Sequence, residues 1–261
     1  MGRTVCVRDE RRNPTAVSEL SKPLSSYGAL LFDLDGVITP TADLHRQAWR
    51  RMFSAFLEQH GSQEYTEQDY FDYLDGRRRD EGVAALLESR GIQLDIGHPD
   101  DSADVDTIHG LGARKNEDFL SLVSEGVEAY PGSVALLDAL QKVQQGNGEK
   151  PALAVVSSSK NAVAVLEAAG LRDRFLEVVD GVVATARGLS GKPAPDTYLY
   201  GAQLCGVDPS DAVVIEDATS GVASGRAGNF GLVIGVDRGT GADALLKAGA
   251  DIVVSDLAEL L

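Results

Sequence analysis

A chain of 261 residues, 43% hydrophobic, with 24 Lys and Arg against 40 Asp and Glu, has a formal charge of −16. It is long enough for one large domain or two modest ones and apolar enough to build a core, which excludes disorder over most of its length. The negative field repels phosphate backbones and anionic lipid, so neither nucleic acid nor membrane is expected as a partner, and a small anionic substrate would need a local cluster of positive charge.

Residues 1–25 read as an N-terminal extension: MGRTVCVRDERRNPTAVSEL is charged, contains Pro14 and lacks the apolar centre of a signal peptide. No apolar stretch approaches the roughly 18 residues of a membrane span. Cys6 and Cys205 are far apart, without His or Cys at metal-ligand spacing, which suggests free thiols in a reducing cytoplasm.

The first strand is expected at Ala29 to Phe32 and runs into Asp33 and Asp35. A period of two points both carboxylates to one side while Leu34 packs the other way. Thr39 and Pro40 then read as N-cap and first position of a helix. On it Leu44, Ala48, Met52 and Ala55 follow helical spacing, and His45 and Trp49 lie one turn apart on one face. Roughly a hundred residues without a convincing strand follow, far more than a crossover needs. Further helical stretches surround Val83 to Leu87 and Phe119 to Val123, and Gly97 to Asp106, acidic and containing Pro99, reads as a loop. Residues 43–127 are therefore expected to form a helical insertion over the end of the first strand.

Beyond residue 128, strands are expected at Ala152 to Val156, Val178 to Val179 with a continuation past Gly181 left open, Ala212 to Ile215, Gly231 to Val236 and Ile252 to Val254. Between them Gly132 to Gln145, Asn161 to Ala169, Pro195 to Leu204, Ser220 to Ala227 and Ala242 to Ala248 read as helices. Continuous apolar strands fit a parallel sheet covered on both faces. The fold class is thus α/β, a doubly wound, Rossmann-like parallel sheet built from residues 26–42 and 128–261 with the helical cap of 43–127 inserted. The GLG and GTG runs at Gly110 to Gly112 and Gly239 to Gly241 lack a third Gly in register and read as turns.

Ligands of open parallel sheets sit outside the carboxyl ends of the strands. Those ends deliver Asp33 and Asp35, then Ser157, Ser158, Ser159, Lys160 and Asn161, then GKPAPD with Lys192, then IEDATSG with Glu216 and Asp217. Four carboxylates in one crevice need a cation among them. A hard divalent ion that keeps waters and takes carboxylates plus substrate phosphate fits Mg²⁺. Lys192 and the Ser157 hydroxyl could hold phosphate oxygens, so the set suits phosphoryl transfer. Read singly, each element has a plainer explanation. Asp followed by Gly is turn chemistry, His45 a surface residue, Trp49 packing, Arg77 to Arg79 a solvated charge run, Ser157 a loop cap, and Lys115 and Lys160 surface charges.

In order, DLDGV, the strand-end Ser, GKPAPD and IEDATSG resemble the four motifs of the haloacid dehalogenase superfamily over nearly the whole chain beyond residue 25. DLDGVITPTADLHRQAW, SSSKNAVAVLEAAGL and GKPAPDTYLYGAQLCGV are most similar to its β-phosphoglucomutase family. The resemblance implies Asp33 as nucleophile forming an aspartyl phosphate and Asp35 as general acid and then base, protonated on arrival. It implies Mg²⁺ held by Asp33, the Asp35 backbone carbonyl and Asp217, with Glu216 as ligand or through water, and a phosphoryl group held by Ser157 and Lys192. His45 would couple cap closure to Asp35, and Arg79 would clamp a distal phosphate. Lys115 and Asn116 of GLGARKN, with Lys160 and Asn161, would complete a second phosphate pocket. Pro40 stands where relatives usually have Asp, and Asp75 where the best-matched mutases often carry Lys.

The chain is expected to be cytoplasmic and monomeric, and the resemblance implies an enzyme acting on a small phosphorylated sugar: a mutase if a sugar hydroxyl reaches the aspartyl phosphate, a phosphatase of sugar or polyol phosphates if water does. A non-catalytic phospho-acceptor module fits poorly, because a helical insertion would serve it no purpose.

Overall fold

The computed structural model describes residues 20, 22–75, 77–142 and 151–261. Cys6, most of the expected N-terminal extension and the expected helix end at Gln145 lie outside them. Six strands, β1 (Ala29–Phe32), β2 (Ala152–Val156), β3 (Glu177–Val179), β4 (Ala212–Glu216), β5 (Leu232–Val236) and β6 (Ile252–Val254), form one sheet in the order β3-β2-β1-β4-β5-β6. Every pairing is parallel. Phe32 is in register with Val155 and Ile215, so Asp33, Ser157 and the Glu216, Asp217 pair emerge side by side at the strand ends.

Alternation along β1 sends Leu30 and Phe32 to one face and Ala29 and Leu31 to the other, and all four are buried. On the first face lie Leu136, Leu137 and Leu140 of α5 (Pro131–Lys142) and Val165 and Leu166 of α6 (Ala162–Ala168). On the second lie Tyr198 and Ala202 of α8 (Asp196–Leu204), Val222 of α9 (Thr219–Ala227) and Leu245 of α10 (Ala242–Ala248). Burial on both faces is why these strands are continuously apolar.

Between β1 and α5 come α1 (Thr41–Gln59), α2 (Glu67–Asp69) running into a π-helical turn at Tyr70–Leu74, α3 (Arg79–Ser89) and α4 (Ile108–Ser124). A separate apolar cluster holds them together: Trp49, Met52, Phe53, Phe56 and Leu57 of α1 meet Tyr70, Leu74, Val83, Leu86, Leu87 and Leu111. Ala48, Phe119, Leu122 and Val123 join the sheet's first face instead, so α1 and α4 seat these helices on the core. Among the described residues no helix is long and apolar enough to cross a membrane.

Two local expectations are corrected. Helix α1 begins at Thr41 with Pro40 as its N-cap and no side-chain cap bond. The buried Thr39 hydroxyl instead meets the Leu34 carbonyl at 3.4 Å and the Thr41 hydroxyl at 2.8 Å, which ties down the loop after β1. Nor does β3 continue past Gly181. Asp180 Oδ1 accepts from Val182 N at 3.0 Å and Val183 N at 2.9 Å, starting α7 (Gly181–Arg187), and Gly188 closes it at φ 66°. An Asp N-cap and a left-handed Gly outweigh the strand preference of the intervening valines.

One buried ion pair makes a stability prediction. Arg90 Nη2 donates to Asp69 Oδ2 at 2.7 Å, each side chain is 8% exposed, and Asp69 also closes a capping box with Thr66. Arg90→Met is expected to cost about 2 kcal/mol, below the ~3–5 kcal/mol of a fully dehydrated pair because both groups keep some exposure. Urea unfolding should show a lower midpoint at unchanged slope; an unmoved midpoint would remove the pair from the account of stability.

Candidate active site

Three strand ends converge on Lys192. Its ammonium donates to Asp33 Oδ1 at 2.6 Å, Glu216 Oε1 at 2.5 Å and the Val156 carbonyl at 3.1 Å. Glu216 is held on both oxygens: Oε1 also accepts from the Tyr198 hydroxyl at 3.1 Å, and Oε2 accepts from Ala218 N at 3.1 Å, which leaves one acceptor site on Oε2. These bonds tie it to Lys192, Tyr198 and the loop after β4. Gly221 on α9 lets the helix approach that carboxylate, since a Cβ there would overlap it. Gly36, at φ 88°, does the same for Asp217, whose carboxylate occupies the space a side chain would need.

The electrostatics ask for a cation. Burial, with Glu216 and Asp35 adding to it and Lys192 opposing, pushes the Asp33 carboxyl up to about 8. Burial and then the neighbouring Glu216 and Asp33 push Asp217 well above the carboxylate range. Burial opposes the charge on Lys192, but Asp33 and Glu216 outweigh it and hold the ammonium above its usual range. One ammonium cannot balance these carboxylates. Asp33, Glu216 and Asp217 offer oxygen atoms that lie within 4.8 Å of one another, an all-oxygen set that fits a hard divalent ion.

Asp35 stands in a different setting. Thr41 Oγ1 donates to its Oδ1 at 2.5 Å, His45 Nε2 lies 3.4 Å from the same oxygen, and the Ser157 hydroxyl lies 3.5 Å from Oδ2. His45 stacks on Phe119 with ring centroids 3.9 Å apart, and its Nδ1 is 2.5 Å from the ammonium of Lys115. Burial opposes ionisation of Asp35, yet His45, Thr41 and Lys115 outweigh it and hold the carboxyl below its usual value. Burial and then Lys115 lower His45, while the Asp35 carboxylate opposes them. Burial and then Arg79 bring Lys115 down to about 7. A Lys115 ammonium donating to Nδ1 leaves the proton on Nε2, facing Asp35.

Farther out, Asn116 Oδ1 accepts from Arg79 Nη2 at 2.7 Å and from Asn161 Nδ2 at 2.7 Å, joining α3, α4 and the β2 end. Lys160 is exposed on the rim, where Arg77 and Arg78 also line the cleft. Asp75 is there too, beside Tyr70, whose hydroxyl it holds. The cleft encloses about 1220 Å³, part of it open to solvent.

The structure thus gathers the predicted site residues around one cleft, except Asn116 and Asn161, which bond behind Arg79 without lining it, and there are three differences of arrangement. Lys115 turns inward to His45 and the rings of Trp49 and Phe119, 5.0 and 4.7 Å away, rather than toward a phosphate pocket. Trp49 is buried in the apolar cluster of α1 and stacks on Phe53, while one edge reaches the cleft. Asp35 is engaged by Thr41 as well as by His45. Sequence reasoning missed Thr41, although a second Thr two residues after Thr39 was a usable signal once the helix start moved. It also missed Tyr198, which reads as an ordinary core aromatic, and α7, which lends Ala184 and Thr185 to the cleft.

Comparison with known proteins agrees with this geometry. A family model described as haloacid dehalogenase-like hydrolase matches residues 27–229. The β-phosphoglucomutase of Mycobacterium bovis is 46% identical over 245 residues, covering 89% of this chain and 91% of that one. The fructose-1-phosphate phosphatase of Escherichia coli is 34% identical over 209 residues, covering 79% of this chain and 95% of that one. The crystal structure of β-phosphoglucomutase from Clostridium difficile superposes with a TM-score of 0.71 at 27% identity, over 90% of this chain and 93% of that one. The sheet order, the carboxylate cluster around Lys192 and these likenesses place the chain in the haloacid dehalogenase-like hydrolase family, as an enzyme of its phosphotransferase and phosphatase class.

Proposed function

We propose that this enzyme is a Mg²⁺-dependent β-phosphoglucomutase, converting β-glucose 1-phosphate to glucose 6-phosphate through a bisphosphate and an aspartyl phosphate on Asp33. The observation that carries the reading is Asp35 met by Thr41 Oγ1 at 2.5 Å and by His45 Nε2 at 3.4 Å, both from α1, so that the seating of this helix aligns the acid–base group. In a cycle that starts from phosphorylated Asp33, the first demand on Asp35 is as a base. It takes the proton of the acceptor hydroxyl as that oxygen bonds to phosphorus and the bond to Asp33 breaks. When the bisphosphate presents its other phosphate, Asp33 attacks and Asp35 returns the proton to the leaving oxygen.

Mg²⁺ would be held by Asp33, the Asp35 backbone carbonyl and Asp217, with Glu216 beside them. When bound, it supplies the positive charge that lets Asp33 ionise and that offsets charge on the transferring group. Ser157 and Lys192 hold the transferring phosphoryl group. Arg79, Lys160 and Asn161 supply the positive, hydrogen-bonding surface for the distal phosphate, with Asn116 orienting Arg79. Trp49 packs the wall behind Lys115. The helices of residues 43–127 act as the cap that excludes water.

Asp75 supports a second reading. It sets a carboxylate in the cleft near the distal phosphate surface, and the similar E. coli protein is named a phosphatase. One incubation with β-glucose 1-phosphate, Mg²⁺ and a trace of glucose 1,6-bisphosphate separates the two. Glucose 6-phosphate outpacing inorganic phosphate is the expected result; phosphate alone would make this a sugar phosphatase.

The pH dependence follows from Lys115. Its pKa is lowered to about 7, so the ammonium that fixes the His45 tautomer is present below pH 7 and lost as pH rises through it. The kcat is therefore expected to fall on the alkaline side of 7. Lys115→Met should lower kcat roughly tenfold at pH 6 and remove that limb; a variant that keeps the wild-type profile would take Lys115 out of the proton path.

A further inference from the structure

The loop after β5, Asp237 to Gly241, contains the GTG run that the sequence marks only as a turn. It is braced from within: Asp237 Oδ1 accepts from Gly239 N at 2.9 Å and Gly241 N at 3.0 Å. From this braced loop two side chains cross to the catalytic loops. Thr240 Oγ1 donates to the Asp217 carbonyl at 3.1 Å. Arg238 reaches further, with Nε donating to the Gly36 carbonyl at 3.0 Å and Nη1 to the Ser255 carbonyl at 2.9 Å. Its guanidinium lies 3.8 Å from the centroid of the Tyr130 ring, and the Asp256 carboxylate lies 3.7 Å from Nη1.

These partners share a location. Gly36 follows Asp35 on the connection that leaves the sheet for α1, and Tyr130 precedes α5 on the connection that returns from α4. The two connections are tied to each other, since Tyr130 N donates to the Ile38 carbonyl at 2.9 Å and the Ser133 hydroxyl to the Val37 carbonyl at 2.7 Å. Arg238 therefore grips, from the core side, the junction through which α1 is hung. Five residues beyond Gly36 stands Thr41, and four beyond that His45, the two groups that meet Asp35.

We infer that Arg238 is a positioning residue for the proton transfer: it pins both cap connections to the core so that Thr41 and His45 stay aligned on Asp35. The residue type suits the task. A planar guanidinium donates in its plane to two carbonyls while its face stacks on a ring, which an ammonium cannot reproduce. The inference rests on the phosphoryl-transfer reading of Asp33 and Asp35, not on the choice of sugar.

The test uses full-length Arg238→Met and Arg238→Lys with two phosphate esters. p-Nitrophenolate leaves without a proton, whereas the alkoxide of β-glycerophosphate needs one from Asp35. A misaligned Asp35 should lower kcat on β-glycerophosphate by about 10- to 100-fold in the Met variant, with KM little changed, and on p-nitrophenyl phosphate by less than about threefold. The Lys variant, which keeps the charge, should fall between. In parallel, amide hydrogen exchange at Ile38, Thr39 and Tyr130 should quicken about tenfold in the Met variant while β1 and β4 stay protected. Equal losses on both esters, or exchange that is unchanged or raised throughout the sheet, would overturn the assignment. A wild type that turns over neither ester nor β-glucose 1-phosphate would count against the phosphoryl-transfer reading itself, and the exchange data would still decide the anchoring role of Arg238.

Discussion

Asp33→Asn is expected to slow turnover of any phosphate ester by a factor on the order of 10⁵, because an amide oxygen cannot form the aspartyl phosphate. The same variant should not unfold. An amide keeps the shape and can still accept from Lys192, and it removes a charge that burial opposes. The linkage has a definite sign. The folded-state pKa of about 8 lies above the ordinary 3.8, so in metal-free protein Asp33 contributes stability fully below pH 4 and loses it as pH rises toward 8. At pH 7 without metal, Asp33→Asn is therefore expected to be at least as stable as the wild type, and Mg²⁺ to stabilise the wild type more than the variant. Thermal unfolding with and without Mg²⁺ reads both. A variant that loses stability to the same degree as activity would make Asp33 a structural rather than a chemical residue.

Asp35→Asn should lower kcat on sugar phosphates by about 10³-fold, within the range general acid–base groups supply. The two aspartates differ in what they spare. The Asp35 side chain is spent on Thr41 and His45 rather than on the carboxylate cluster, so Mg²⁺ affinity measured by calorimetry should stay within about threefold of the wild type. The deficit should also shrink on p-nitrophenyl phosphate, whose leaving group needs no proton. Unchanged turnover of sugar phosphates would end the acid–base assignment, and a large loss of metal affinity would mean that the side chain is itself a ligand.

The same contrast explains what could be read from the sequence. Strands buried on both faces are legible as apolar runs, and a parallel sheet must present their carboxyl ends together. Asp33, Asp35, Ser157, Lys192, Glu216 and Asp217 were therefore locatable without coordinates. Asp180 and Gly188 bracketing α7 were less legible, because the valines between them carry a strand preference that only the capping bonds override. Side-chain direction was hardly legible at all. Lys115 and Asn116 are neighbours in sequence, yet one turns to His45 and the other to Arg79 and Asn161. Whether Asp35 is protonated depends on Thr41, His45 and Lys115 meeting across some 70 residues of chain, which no local pattern encodes. Arg238 belongs to the same class, since its partners come from three separate loops.

Both reaction routes pass through a covalent phosphoryl group on Asp33. The measurement that tests it most directly is rapid quenching of the enzyme during turnover of a phosphate ester with Mg²⁺, followed by borohydride reduction and peptide mapping by mass spectrometry. Reduction of an aspartyl phosphate yields homoserine, which is expected in place of Asp33 and nowhere else. Homoserine at another carboxylate, or none while turnover proceeds, would contradict it.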